Sequence, residues 1–158
     1  MLVQCTVESV RVHVLTGQHV VLLQEQGAKR LLPIWIAQDQ AHSIAVAGIS
    51  SERPLTHDLL VALITALAAR VTKVVVKDLV SDDTGGGVFH GSVFVQAQGG
   101  EEVEVDSRAS DAIAIAVRCD APIFVVEAVL DRSGIANESD DDEQLAVFRQ
   151  FIENLPDP

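Results

Sequence analysis

Two short stretches hold the residues best suited to chemistry. Asp106-Ser107-Arg108-Ala109-Ser110-Asp111 places two carboxylates and a guanidinium within six positions. Paired acids can hold a divalent cation such as Mg²⁺ or Mn²⁺ through oxygen, and an arginine fork fits a phosphate. Thr56-His57-Asp58 sets an imidazole beside a carboxylate. Histidine moves protons near neutral pH, as general base or acid, or serves as a ligand. Each stretch also has a plain structural reading. An Asp–Arg pair can fix a strand-to-helix corner. Asp58 suits the positive end of a helix whatever else it does, and His57 is then a partly exposed first-turn residue.

Other candidates fall away. His13, His19, His42 and His90 stand alone, with no His-x-x-x-His spacing, so a zinc site is not expected. Asp82 and Asp83 precede Gly85-Gly86-Gly87, but no Gly-Lys-Ser/Thr follows and acids repel phosphate; a solvated loop is expected. Cys5 and Cys119 form no metal spacing and read as reduced, buried thiols.

The elements that must position these residues follow from periodicity. Val103 and Val105 alternate with Glu104 and Asp106, the pattern of a half-buried strand. Ser107 or Ser110 is expected to cap the helix that follows, with Asp111 in its first turn. That helix, Ala112 to Val117, has very small side chains, so a sheet or second helix can approach closely. Thr56 is expected to cap a helix from His57 to Ala69, with Leu59, Leu60, Leu63, Ile64 and Leu67 as its buried face. Further strands are expected at Cys5–Leu15 (irregular near Ser9), His19–Gln24, Arg30–Ile36, Thr72–Val80, Val88–Ala97 and Ile123–Val129. Pro33 belongs at an edge or bulge, because it cannot donate to a ladder. Gln38 to Gly48 reads as a helix.

Ile44-Ala45-Val46-Ala47 lies over Ile113-Ala114-Ile115-Ala116 at an offset of 69, which also lays Val20–Leu23 over Phe89–Ser92. An internal duplication is expected, with repeats at residues 1–70 and 71–135. Residues 136–143 read as an acidic linker, and residues 144–158 as a C-terminal amphipathic helix and tail.

The 158 residues suit one compact domain. The longest apolar stretch, residues 59–69, falls short of the roughly 20 residues needed to span a bilayer. No basic region precedes a hydrophobic one at the start, so no signal peptide and a cytoplasmic, membrane-free location are expected. The net charge of −12 is divided evenly between residues 1–135 and 136–158. A duplex binder normally carries a basic face, which is not evident, and with no Tyr and one Trp a stacking platform is poorly supplied. Composition argues against a tight nucleic-acid binder. It leaves room for an enzyme that binds weakly or through a divalent cation.

Four ordered blocks carry a resemblance: LPIWI before a small-residue helix, RPLTHDLL, DSRASDAIAIA and APIFVVEAVL. Over about residues 3–135 the chain resembles the bifunctional nuclease family, some members of which are described as acting on both DNA and RNA. Its C-terminal segment is similar to that of bacterial, actinobacterial-like members. The resemblance implies a single α+β domain with a mixed β-sheet that associates as a homo-oligomer. It also implies a nuclease of broad specificity, assisted by Mg²⁺ or Mn²⁺, with DNA or RNA as a weakly bound substrate. Carried over position by position, it implies His57, Asp58, Asp106 and Asp111 as catalytic, Arg53 and Arg108 as substrate-binding, and Asp106 and Asp111 as metal ligands. Three positions depart from the usual family pattern: Ala37 for Gly, Gln40 for Glu and Ala109 for Pro. The acidic body and Gln40 support the rival expectation of a non-catalytic oligomeric interaction module.

Overall fold

β-Branched residues at period two pair into one eight-stranded sheet. The computed structural model describes residues 1–81, 83 and 87–136. The strands are β1 (Leu2–Val12), β2 (His19–Glu25), β3 (Arg30–Ile36), β4 (Ala69–Ser81), β5 (Gly87–Ala97), β6 (Glu102–Arg108), β7 (Ile123–Val126) and β8 (Ile135–Ala136). Their order is β6-β5-β4-β7-β1-β2-β3-β8. β7 runs parallel to β4 and antiparallel to β1, so this short strand joins two antiparallel meanders into a mixed sheet. The helices are α1 (Gln38–Ala45), α2 (Thr56–Ala66), α3 (Ala109–Cys119) and α4 (Glu127–Ser133). The chain is an α+β domain, as expected.

Each meander leads into a helix: β1-β2-β3 into α1, and β4-β5-β6 into α3. The offset of 69 residues carries a further coincidence. The ladder of β1 with β2 slips between Val7 and Ser9, and that of β4 with β5 slips at the matching point between Val76 and Asp78, besides a second slip of its own between Val71 and Lys73. A bulge adds local twist and bends its strand, so both meanders bend at matching points. The expected linker and C-terminal helix, and most of the Ser81–Gly87 loop, lie outside the described residues.

α3 is the centre of the packing. Its residues Ala109, Ser110 and Ala112 to Ala116 are all buried. Small side chains let it approach β4 and β5 on one side while α1 and α2 pack against it. The tightest point is the corner after β6. A Cβ on Gly91 of β5 would stand 3.0 Å from the Ala109 Cα and 3.1 Å from the Arg108 carbonyl oxygen. Elsewhere, Arg30 grips the buried Glu25 through two hydrogen bonds (2.7 and 2.9 Å) and reaches Asp131 of α4 at 2.6 Å. The Arg30 bonds hold the Glu25 carboxyl below its usual range against the opposing effect of burial. Burial pushes the Cys5 thiol up to about 11, so it sits as a neutral core group, as expected.

Several expectations are corrected. Ile123–Val129 is not one strand: it breaks at Val126 and continues as α4. An unbroken apolar run fits a strand and a buried helix equally well. Leu59, Leu60 and Leu63 of α2, and Leu67 just after its end, are exposed, at 38% to 76%, rather than buried, and Ile64 is only partly covered. Val103 and Val105 are likewise exposed. In both cases the apolar pattern is real, but nothing within the described residues covers it. Neither Ser107 nor Ser110 caps α3; the cap position is Arg108, without a side-chain cap bond, and Ser110 lies inside the helix. Pro33 sits as expected, on a strand whose outer side β8 covers only at Arg30 and Leu31.

The Gly91 corner gives a direct test. Gly91→Val should lower the unfolding free energy by about 1–3 kcal/mol, the usual range for overpacking a filled site, and Gly91→Ala by less. Urea midpoints of the two variants against the parent protein measure it.

Candidate active site

Pro54 biases Arg53 toward extended backbone, and Leu55 is extended too (φ −78°, ψ 170°), so α2 can begin only after it. Thr56, expected as the cap, is instead the first helical residue. The capping role falls to Asp58, whose carboxylate accepts the Leu55 N–H at 2.9 Å. This start turns His57 inward. It is the buried residue of α2, 5% exposed.

A buried imidazole must satisfy both ring nitrogens. His57 Nδ1 lies 2.6 Å from Ser43 Oγ on α1, and His57 Nε2 lies 2.8 Å from Asp111 Oδ1 on α3. A carboxylate only accepts, which assigns a proton to Nε2. In the neutral ring, Nδ1 is then the acceptor and the Ser43 hydroxyl donates to it. Three helices thus meet on one side chain.

Asp111 is held from further sides. Arg108 Nε donates to its Oδ2 at 2.7 Å, and Arg108 Nη2 to its Oδ1 at 3.3 Å. Gln40, with its amide turned as its neighbours require, donates to Asp111 Oδ1 (3.0 Å) and Ser110 Oγ (3.1 Å) and accepts from Arg108 Nη2 (3.2 Å). Burial pushes the Asp111 carboxyl up, but the bonds from Arg108 and His57 outweigh it and hold the group below its usual range. The same bond to Asp111 raises the Arg108 guanidinium.

These groups line a cavity of about 740 Å³. Leu60, Ile64, Val93, Val95, Val105 and Ile115 give it an apolar wall. Gln40, Ser43, His57, Asp106, Arg108 and Asp111 supply the polar one. His57, Asp106, Arg108 and Asp111, expected from sequence, therefore share one hollow, although they come from three separate elements. Arg53 and Asp58 do not line it. Arg53 is on the exposed loop between α1 and α2. Asp58 faces a neighbouring groove, where Arg118 Nε donates to it at 2.7 Å. The Leu55 N–H, and Arg118 after it, hold the Asp58 carboxyl below its usual range.

The fit of Mg²⁺ or Mn²⁺ can be judged from the donors. Such ions take several oxygen ligands. Both Asp111 oxygens are already engaged, and a dication there would face the Arg108 guanidinium. Among the described residues, no group of three or more His, Cys, Asp or Glu side chains gathers to surround an ion. The donor set does not suit the ion.

Sequence reasoning missed Ser43 and took Gln40 only as a departure. Their spacing on α1, three residues apart, puts both on one helix face, but serine and glutamine types alone carry no signal. A family model described as the bifunctional nuclease domain matches residues 20–138. Two proteins of Mycobacterium tuberculosis, from strains CDC 1551 / Oshkosh and ATCC 25618 / H37Rv, are similar along nearly the whole length. Each is 37% identical over 160 residues, spanning 94% of this chain and 92% of its own, and each is named only as uncharacterized.

The Asp111 geometry predicts a pH dependence of stability. A carboxyl lowered on folding stabilises fully above its unfolded value of about 3.9 and loses that contribution as pH falls through the lower folded value. The unfolding free energy of the parent protein should therefore fall as pH drops below about 4. Asp111→Asn should be less stable near pH 7 and show a shallower acid decline, the other lowered carboxyls, Glu25, Asp58, Glu102 and Glu104, contributing to what remains. Urea titrations at a series of pH values measure both.

Proposed function

Since the chain belongs to the bifunctional nuclease domain family, we infer that this cavity hydrolyses phosphodiester bonds of DNA and RNA with broad specificity. The observation that carries the reading is the imidazole held between a carboxylate and a hydroxyl on the wall of a cavity that also presents Arg108. Phosphodiester hydrolysis needs an activated nucleophile, charge stabilisation at phosphorus and a proton for the leaving oxygen. His57 takes and returns the proton. Asp111 fixes the imidazole and stabilises it once charged. Arg108, its side chain 63% exposed, binds the phosphate oxygens while its Nε stays on Asp111. Asp106 on the same wall orders the attacking water or the leaving group. Asp58 acts by starting α2, so its effect on catalysis passes through His57.

The substrate is bound weakly. A chain of net charge −12 repels a polyanion at long range, so affinity rests on close contacts within the hollow. Proton transfer through a fixed imidazole needs no metal step, and the Arg108 guanidinium on both Asp111 oxygens disfavours a cation there.

The exposed leucines of α2 belong to the same reading. Leu59, Leu63 and Leu67 are each more than half exposed, beside the cavity's Leu60 and Ile64. A second copy of the chain covering this face would bury them and roof the hollow.

Labelled single-stranded DNA and RNA test the activity. Purified protein should cleave both, with cleavage surviving EDTA. His57→Gln and Asp111→Asn should each lower kcat/KM by about 100-fold or more, as loss of a proton-transfer group does. Arg108→Met should raise KM as well, while Arg53→Ala should change little. Parent-level cleavage by His57→Gln would assign the activity to a contaminant. The oligomer is checked by light scattering: a mass above the 16.9 kDa of one chain is expected, and Leu63→Glu should lower it.

A further inference from the structure

The proton path to His57 is narrower than a general-base role requires. Its Nε2 is committed to Asp111, and its Nδ1 meets Ser43 Oγ at 2.6 Å. The ring is 5% exposed and Ser43 is 7% exposed. Water therefore has no vacant ring nitrogen to approach. The proton that His57 is placed to remove belongs to the Ser43 hydroxyl.

We propose that Ser43 is the nucleophile of this site, activated by His57 and Asp111, and that cleavage runs through a covalent phosphoserine. The geometry is that of a hydroxyl, an imidazole and a carboxylate in line, which is recognised by roles rather than by chain order. Here the order is Ser43, His57, Asp111, one residue from each of α1, α2 and α3, and all three residues line the cavity. Gln40, one turn before Ser43, ties α1 to Asp111 and so fixes the hydroxyl relative to the carboxylate.

The chemistry balances without an external reagent. In the first step Ser43 Oγ forms a bond to phosphorus and the bond from phosphorus to the leaving nucleoside oxygen breaks. The Ser43 proton passes to His57 and on to that oxygen, which leaves as an alcohol. In the second step a water oxygen bonds to phosphorus and the phosphorus–Oγ bond breaks. The water proton passes through His57 back to Ser43. The products are an alcohol and a phosphate monoester, and no redox change occurs. Arg108 faces the negative charge on the phosphate in both steps.

This proposal rests on the hydrolytic reading of the cavity, and its test separates the two. The full chain is treated with a fluorophosphonate probe, in which an attacking serine forms the oxygen–phosphorus bond and fluoride leaves. Peptide mass spectrometry then locates the adduct. An adduct on Ser43, reduced about tenfold or more in His57→Gln, is expected, because activation by the base is lost. No adduct on Ser43, or equal labelling in His57→Gln, overturns the proposal. In parallel, Ser43→Ala is assayed on the labelled oligonucleotides. A loss of about 100-fold or more is expected, with parent-like circular dichroism, since alanine suits a helix. If the parent cleaves oligonucleotides and Ser43→Ala keeps pace within about tenfold, Ser43 is not the nucleophile while the nuclease reading stands. If the parent cleaves none but the probe labels Ser43 through His57, the nuclease reading falls and the nucleophile stands. Should Ser43→Ala fail to fold, the probe on the parent protein decides alone.

Discussion

The hydrogen bond between His57 Nε2 and Asp111 Oδ1 carries more of this structure than its length suggests. It joins α2 to α3 across 54 residues of chain. Apolar packing of α2 is limited to Val61 and the half-covered Ile64, since its leucines face outward and its buried residue is His57. The usual source of helix docking, an apolar face against the core, is therefore weak here. Polar contacts replace it: His57 with Ser43 and Asp111, and Asp58 with Arg118. Leaving a buried partner unsatisfied costs about 1–3 kcal/mol, so these bonds place α2 sharply even though each contributes little net stability. The requirement that positions the helix also presents an imidazole, a carboxylate and a hydroxyl to one cavity.

The frame around that contact is nearly repeated, and the site arises where the repeat fails. The two meanders bend at bulges that share the 69-residue offset, and each ends in a small-residue helix. These coincidences support reading residues 1–70 and 71–135 as repeats, which we keep as a proposal. Under the same offset Ser43 stands over Ala112, and His42 over Asp111. The matching helices α1 and α3 pack side by side, but they bring different groups to the cavity. Likeness gives close packing between two helices of small residues. Difference gives a hydroxyl on one and a carboxylate on the other.

Residue type and local spacing made much of this legible. His57, Asp106, Arg108 and Asp111 stand out because their side chains are scarce and chemically pointed. The sheet and the small-residue helices follow from periodicity. Ser43 could not be found that way: a serine in a helix acquires meaning only when an imidazole 14 residues on folds back against it. Gln40 read as a lost acid, yet its amide bonds both Asp111 and Arg108, which a carboxylate could not do. Asp58 was misleading for the opposite reason. A carboxylate beside a histidine suggests shared chemistry, but adjacent residues on a helix do not face one another, and Asp58 turns to Leu55 and Arg118. The α2 leucines were misplaced because amphipathic spacing identifies a face that something must cover, without saying that the same chain covers it.

Charge explains why a site of this kind tolerates so acidic a body. Within the described residues several acids are already matched: Glu25 and Asp131 by Arg30, Glu102 by Lys73, Glu104 by Lys77. Half of the net charge lies in residues 136–158, well along the chain from the cavity residues. Among the described residues, the local field in the hollow is set by near neighbours, because exposed charges farther than a Debye length, about 8 Å at physiological salt, are largely screened. There, Arg108 is paired with Asp111, while Asp39 and Asp106 line the same hollow and leave it acidic when His57 is neutral. In the reaction proposed above, a proton taken by His57 lowers the negative charge of the hollow at the moment negative charge would build on the phosphate. In the proposed reaction, an acidic surface would slow encounter with a polyanion, while the step itself would depend on the groups within the hollow.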